Sequence, residues 1–305
     1  MGDNAVFRDM ISILDEGSVA QNVSMKEYTS IKTGGTARFF AEPDSIEKVH
    51  RIIQYLREKN QNFFVMGNGT NLIIPDNGYD GVVIRIGSKL SRINLEGNRI
   101  TAQAGASLAA VSARALDAGL EGFEFASGIP GTIGGAVTMN AGAYGGEMSQ
   151  VVTGTVCIDE QGQMIRLNGD EHAFGYRKSR IQTDGLIALE VTLVLRQGDK
   201  SEIKRRMTDF NGRRRDKQPL NMPSAGSVFK RPEGHYAGQL IQECGLKGYT
   251  IGGAQVSDKH CGFIVNLGNA TSQDVLDLIR YVRKTVYERT GVLLEPEVRI
   301  IGGEL

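Results

Sequence analysis

Met66-Gly67-Asn68-Gly69-Thr70-Asn71-Leu72-Ile73-Ile74-Pro75-Asp76 is the stretch on which the reading of the fold turns. It follows an apolar run, 62–66, that reads as a buried strand, so it invites a dinucleotide-binding G-x-G-x-x-G turn. The third glycine position, however, holds Leu72, and Pro75 interrupts the first turns of any following helix. The helix N-terminus on which a pyrophosphate rests in a Rossmann unit is therefore missing. No G-x-x-x-x-G-K-[ST] phosphate loop occurs either. What remains is a glycine turn, read as a nest of amides facing an anion or as a plain tight turn.

Around this loop the pattern is a small α/β unit. Residues 4–16 form an amphipathic helix through Val6, Met10, Ile13 and Leu14. A strand is expected at 37–41, and Asp44 or Ser45 can cap a helix through Asn60. Its apolar stripe is Ile46, Val49, Ile52, Ile53 and Leu56. A strand at 82–86 completes a βαββ-like segment. From 99 to about 196 short strands (99–104, 151–158, 163–167, 186–195) surround a helix at 107–118 that stops on Gly119. A basic helix at 201–217 precedes a Pro/Gly-punctuated loop, 218–236. Helices at 237–244 and 272–290 and strands near 250–256 and 261–266 finish the chain. No internal repeat or low-complexity tract is found, and the domain boundary is drawn near residue 200.

A second glycine-rich segment, 128–146, runs Gly128-Ile129-Pro130-Gly131-Thr132-Ile133-Gly134-Gly135-Ala136 and on through Asn140, Gly142 and Gly146. Ordering so many glycines is costly, ~0.5–1 kcal/mol each relative to Ala in regular structure. Ile129, Ile133, Val137 and Met139 are too apolar for a solvated linker. Close approach of backbone to a ligand is the reading preferred.

Composition narrows the class. The 305 residues carry 35 Lys+Arg against 35 Asp+Glu, which argues against a dedicated nucleic-acid binder. The 39 glycines are nearly twice the ordinary usage of ~7%. Cys157, Cys244 and Cys261 lie far apart and odd in number, so a disulfide framework is not expected. The four scattered His predict no metal site. No apolar run approaches the ~18 residues of a membrane span, and the first residues have no basic or apolar leader pattern. A soluble, cytoplasmic protein is expected.

Taken together, 66–71, the Gly128–Val137 run and Met139-Asn140-Ala141-Gly142-Ala143-Tyr144-Gly145-Gly146-Glu147 resemble the FAD-binding loops of the UDP-N-acetylenolpyruvoylglucosamine reductase family. The similarity runs from about Tyr28 to Arg299. It implies an α+β fold: a vanillyl-alcohol-oxidase-type FAD domain of two α/β subdomains (about 30–86 and 87–200, within 1–200) and a substrate domain, 201–305. It implies noncovalent FAD, held by Gly67, Asn68, Gly69, Thr70, Asn71, Gly128, Ile129, Pro130, Gly131, Thr132, Gly134, Gly135, Ala136, Asn140 and Gly142. NADPH is the implied co-substrate, and an enolpyruvyl UDP-sugar the implied substrate in peptidoglycan precursor synthesis. The implied partners include no nucleic acid and no membrane, and the chain is expected to be a monomer.

The resemblance also assigns the chemistry. Ser227, in Ser224-Ala225-Gly226-Ser227-Val228-Phe229-Lys230, falls on the family's proton donor; alone it reads as a turn residue. The S-x-x-K that it begins is set aside, because Pro232 prevents the helix such a motif opens. Arg177, in Gly175-Tyr176-Arg177-Lys178-Ser179, and Glu297, in Leu294-Glu295-Pro296-Glu297-Val298, are the implied catalytic partners, with Glu295 the second candidate carboxylate. Tyr176, Lys217, Arg231, Gln255 and Ser257 are implied at the substrate. Arg231 stands where other members have Asn, and 232–236 is short, as in the subtype that lacks an extra tyrosine loop over the substrate. Two alternatives are carried: a flavin oxidoreductase for another small substrate, and RNA binding by the basic helix, whose run Asp209 and Asp216 interrupt.

Overall fold

The computed structural model describes residues 3–303. They form two compact units: residues up to 21, 39–68 and 82–214 in the first, and 22–38, 69–81 and 215 onward in the second. The division falls after Arg214, not near residue 200, and two short early segments go with the second unit. The basic helix is tied to the first unit through Arg206, which pairs with Glu121 and Glu124.

Helix α1 is Asp3–Leu14 and α2 is Ile46–Glu58. Ser45 caps α2 as expected, its hydroxyl accepting the Lys48 amide at 3.2 Å. The strands Val19–Ser24, Thr36–Ala41, Tyr79–Arg85 and Phe63–Met66 lie side by side in that order. The last two are parallel, pairing Phe63 with Val82 through Met66 with Arg85. Val49, Ile52, Ile53 and Leu56 of α2 pack with Phe39, Val82, Ile84 and the Val6, Met10 and Leu14 stripe of α1. The 3.6-residue spacing of those apolar positions, read from sequence, is the face that is buried.

The five strands Met164–Asn168, Val152–Ile158, Ile187–Val194, Arg99–Gln103 and Ile93–Glu96 form an antiparallel sheet in that order. Helix α3, Leu108–Asp117, is capped by Ser107 and stops before Gly119, whose φ is +68°. The glycine-rich segment is not all loop: Ile133–Thr138 forms a short helix, α4. A one-turn α5, Arg180–Thr183, precedes α6, Lys200–Lys217. Of α6 only Ile203 is buried, and charge pairs replace an apolar stripe. Arg205 pairs with Glu202, Arg213 with Asp209, and Arg206 reaches Glu121 and the buried Glu124, both at 2.9 Å.

In the second unit, Ser224–Ser227, Phe263–Asn266, Ala254–Val256 and Thr250–Ile251 make a sheet in that order. Helices α7, Ala237–Glu243, and α8, Ser272–Thr290, pack on a core of Val228, Ile241, Val275, Val282 and Leu294. Asp76 accepts the Ser272 and Gln273 amides at 2.8 and 2.9 Å, while Thr271 and Asp274 form a capping box at the same helix start. The short parallel pairing of Leu72–Ile73 with Arg299–Ile300 joins the chain after the first glycine loop to its C-terminal strand. No helix among the described residues is long and apolar enough to cross a membrane.

Candidate functional site

The start of the first glycine loop, Gly67-Asn68, meets the second glycine loop within the first unit. A Cβ on Gly67 would run into the Thr132 side chain, so glycine is required there by the neighbouring loop. The second loop is fixed in turn against the start of α3. The Leu108 amide donates to Gly131 O at 3.2 Å and the Ile133 amide to Ala106 O at 2.8 Å. Thr132 caps α4 through its hydroxyl, which accepts the Gly135 amide at 3.3 Å.

Among the described residues, the amides of Gly67, Asn68, Gly69 and Thr70 donate no hydrogen bond, nor do those of Gly128, Gly131 and the buried Thr132. Backbone donors withdrawn from water are rarely left unpaired. Those of Gly67 and Asn68, with Gly131 and Thr132 beside them where Gly67 meets Thr132, fit an anionic diphosphate such as that of FAD.

Further along the second loop, packing within the protein explains residues that the sequence reading gave to the cofactor. A Cβ on Gly134 would sit 2.7 Å from Ala104 Cβ, and the Gly134 amide donates to Ala104 O at 2.9 Å. Its missing side chain therefore serves the seating of α4 on the strand end at Ala104. That packing requires glycine at 134 by itself, alongside the cofactor contact expected of it from the sequence. Ala136 is buried in the core cluster with Ile133 and Val137. A Cβ on Gly142 would meet Gly146 O and Glu147 Cβ, across the two-stranded ribbon of Gly142–Ala143 and Gly146–Glu147. Gly135 is exposed, Ile129 packs against the core and Pro130 is exposed.

Asn140 is a brace in this arrangement. It is 1% exposed, has φ of +46°, donates from Nδ2 to Gly175 O at 3.0 Å and accepts the Ser149 amide at 2.9 Å. Both ends of its amide are thus engaged within the protein. The carbonyl it holds belongs to a two-residue turn in which Gly175 and Lys178 exchange backbone hydrogen bonds, with Tyr176 and Arg177 at the tip. Buried Ser179 anchors the turn's end by donating to Thr138 O at 2.7 Å. Arg177 has φ of +53°, a region that L-residues seldom occupy and that clusters at functional sites. Its guanidinium lies 5.2 Å from the centre of the Tyr176 ring and 3.5 Å from Gly142 O.

The second unit positions Ser227 and Glu297. Ser224 pairs with Val265 and Ser227 with Phe263, so an extra residue bulges the strand, with Gly226 at φ of +79°. Such a bulge re-aims the side chain that follows it. Val228 is held between the sheet and the C-terminal segment: its amide donates to Gly262 O at 2.9 Å, and its carbonyl accepts the Glu297 amide at 2.7 Å. Asn71 clamps the same segment, donating to Glu297 O at 3.0 Å while its own carbonyl accepts the Arg299 amide at 3.0 Å. Read from sequence as a cofactor residue, Asn71 is bonded to the backbone on both sides of Val298. Glu295 is exposed and paired with Lys230 at 3.1 Å, whereas Glu297 is half-buried.

The residues expected at the substrate are disposed unevenly. Lys217 is exposed at the last position of α6, close enough to His260 for its charge to lower that ring's pKa, behind the larger effect of burial. Lys259 caps the helix beside it, donating to Arg215 O at 2.5 Å. The Ser257 hydroxyl accepts the Lys259 and His260 amides at 3.1 and 3.4 Å, a local turn bond. Gln255 donates to Thr250 Oγ1 at 3.2 Å across a strand pair. Arg231 is exposed and stacks over Tyr236 at 4.1 Å. Sequence reading passed over Tyr144, stacked on Phe210 at 4.6 Å, and Arg214 beside it. Seven Lys and Arg in 204–217 look alike in sequence, and only burial separates one from another.

The FAD binding domain family matches residues 37–168, and the C-terminal domain of UDP-N-acetylenolpyruvoylglucosamine reductase matches 218–301. The chain is thus an FAD-dependent oxidoreductase with an α+β FAD-binding fold. It is 51% identical over 290 residues to the UDP-N-acetylenolpyruvoylglucosamine reductase of Caldanaerobacter subterraneus, covering 95% of this chain and 96% of that protein. With the enzyme of the same name from Clostridium novyi it shares 49% identity over 293 residues, covering 96% of this chain and 95% of that one. The crystal structure of UDP-N-acetylenolpyruvylglucosamine reductase from Thermus caldophilus matches with a TM-score of 0.79 at 37% identity, covering 91% and 97% of the two chains. The chain belongs to the UDP-N-acetylenolpyruvoylglucosamine reductase family.

Proposed function

We propose that this protein reduces the enolpyruvyl ether of UDP-N-acetylglucosamine enolpyruvate to the lactyl ether of UDP-N-acetylmuramate, with NADPH as reductant, in peptidoglycan precursor synthesis. The observation that carries the reading is the hydrogen bond from the Glu297 amide to Val228 O, which ties the Glu297 segment to the end of the bulged Ser224–Ser227 strand, in a chain whose glycine loops leave a row of amides unpartnered. When bound, FAD supplies the hydride, taken from NADPH and passed to the terminal enolpyruvyl carbon. Negative charge then develops on the adjacent carbon and spreads into the attached carboxylate. Arg177 donates hydrogen bonds to that carboxylate, and Glu297, carrying a proton, donates a further one, so that both stabilise the charge as it forms. Ser227 gives its proton to the carbanionic carbon, completing the saturated ether, and is itself reprotonated from water. A hydroxyl is a weak acid, so it suits a strongly basic carbanion and little else.

In this reading the glycine loops hold the diphosphate of noncovalent FAD, and the second unit, with Lys217, Gln255, Ser257 and Arg231, takes the UDP-sugar. Asn140 and Asn71 act by positioning the Arg177 turn and the Glu297 segment. The protein works as a cytoplasmic monomer. The reading is tested on the purified protein, expected to be yellow and to release FAD on heating or acid treatment. NADPH should bleach it under anaerobic conditions, and the enolpyruvyl UDP-sugar should restore the colour. A colourless protein that takes up no FAD contradicts the flavin assignment. Bleaching without recovery on addition of that substrate contradicts the substrate.

A further inference from the structure

The turn that carries Arg177 is held by Asn140 at the Gly175 carbonyl and by Ser179 at its far end, and a further hold precedes it. Gly169–His172 forms a single helical turn, closed by the Asn168 amide, which donates to Glu171 Oε2 at 2.7 Å. The His172 ring at its end is wholly buried and engaged at both nitrogens. Gly169 O can only accept, so Nδ1 donates to it, and Nε2 accepts the Thr155 hydroxyl, each at 2.8 Å. Thr155 lies in the strand Val152–Ile158, so the ring is tied to the five-stranded sheet.

Phe174 stacks on that ring, the two centres 4.9 Å apart and the planes 7° from parallel. Ala173, between the two, has φ of +44°, a left-handed conformation that persists where the surroundings impose it. Phe174 touches the core of the sheet but is not enclosed by it. A cavity of about 410 Å³ opens beside it, lined also by Ser149, Val152 and Asp170. With open space on that side, the fixed His172 ring supplies the face against which Phe174 settles. Gly175 follows directly, and with it begins the turn that has Arg177 at its tip. We infer that Phe174, seated on His172, is a positioning residue for Arg177: the stack fixes where the turn leaves the sheet, and so where the guanidinium meets the substrate's carboxylate. The inference rests on the role proposed for Arg177 and adds the pair of rings through which the sheet sets its place.

The test is a double-mutant cycle on the holoprotein with Phe174→Leu, Arg177→Ala and the two together, each half-reaction being followed alone by stopped-flow absorbance of the flavin. Phe174→Leu should slow reoxidation by the enolpyruvyl UDP-sugar ~10–100-fold, the cost of a small misplacement at a reacting group. Bleaching by NADPH should be unchanged in that variant. Phe174→Tyr keeps the stacked ring and has the cavity to receive its hydroxyl, so it should retain most of the rate. In the Arg177→Ala background, itself slow in reoxidation, Phe174→Leu should cost less than ~2-fold, because a residue acting through Arg177 has nothing left to act on. Should the leucine variant not fold, Phe174→Met goes through the same cycle with the same results expected. A wild-type reoxidation rate in Phe174→Leu would overturn the inference. So would its full effect persisting in the Arg177→Ala background, since the two residues would then act independently, or an equal slowing of both half-reactions, which would mark general damage to the flavin site. An Arg177→Ala variant that reoxidises at the wild-type rate would instead defeat the role of Arg177, and the inference with it.

Discussion

The Glu297 amide donates to the carbonyl of Val228 at 2.7 Å, which sets Glu297 beside the residue that follows Ser227. Lys230, two residues on, donates its amide to Glu295 O at 2.8 Å and pairs with the Glu295 carboxylate. The two carboxylates that sequence could not tell apart on their own merits are thereby distinguished. One is an exposed ion-pair partner, and the other is half-buried in the segment clamped by Asn71.

Glu295→Gln should therefore change little. An exposed pair contributes ~0–1 kcal/mol, and both half-reactions should run at near wild-type rates. Glu297→Gln should slow reoxidation of the flavin by substrate ~10²–10³-fold while leaving reduction by NADPH almost intact. Stopped-flow absorbance of each half-reaction measures both variants, and a reversed order of effects would restore Glu295 as the candidate.

Gly134→Ala should destabilise the fold by about 1–3 kcal/mol through overpacking, since the added methyl meets Ala104. Ala104→Gly in the same chain should recover more than half of the loss. Thermal melting of the two single variants and the double variant checks this. No recovery in the double variant would return the requirement for glycine to the cofactor side of the loop.

Asn140→Ala should leave the Ser149 amide and the Gly175 carbonyl without their partners. Each unsatisfied group costs about 1–3 kcal/mol, so the melting temperature should fall markedly. The turn that carries Arg177 should loosen as well, which amide exchange at 175–178 would report. Faster exchange there, with the loops at 67–70 unaffected, is the expected pattern; unchanged exchange would deny Asn140 its positioning role.

Acidification should weaken the fold through His172 and His260, whose pKa values burial pushes below the ordinary value of 6.5. His172 is fully buried, with Nδ1 donating to Gly169 O and Nε2 accepting the Thr155 hydroxyl, each at 2.8 Å. The unfolded chain takes up protons at about pH 6.5 while the folded chain does not, so stability is full above that pH. It declines as pH falls from there toward the lowered folded values. Denaturant unfolding between pH 7.5 and 5 should show the decline, and His172→Asn should flatten it. A slope untouched by that substitution would mean that other groups cause it.

Much of the fold was legible because apolar periodicity and caps are local signals. The stripe of α2 and its Ser45 cap, the stop of α3 at Gly119 and the span of α8 all follow from residues within a few turns. Helix α4 was hidden, because two glycines in its first turn argue against helix until Ala104 is known to lie against them. The strand at Ser224–Ser227 was hidden likewise, since its partner is remote in sequence and its bulge breaks the alternation. At the site, glycines made the loops visible but could not show which were small for a ligand and which for a neighbour. The bracing by Asn140 and Asn71 spans 35 and 226 residues, beyond any local reading.

The central claim is that Ser227 delivers the proton that completes reduction of the enolpyruvyl ether. It is tested most directly by following the flavin of Ser227→Ala through each half-reaction alone, in an anaerobic stopped-flow instrument. Bleaching by NADPH should proceed at the wild-type rate, because it needs no proton from this residue. Return of colour on mixing with the enolpyruvyl UDP-sugar should slow by ~10²–10⁴-fold, and Ser227→Cys should recover part of it. A wild-type rate in the second half-reaction would contradict the account.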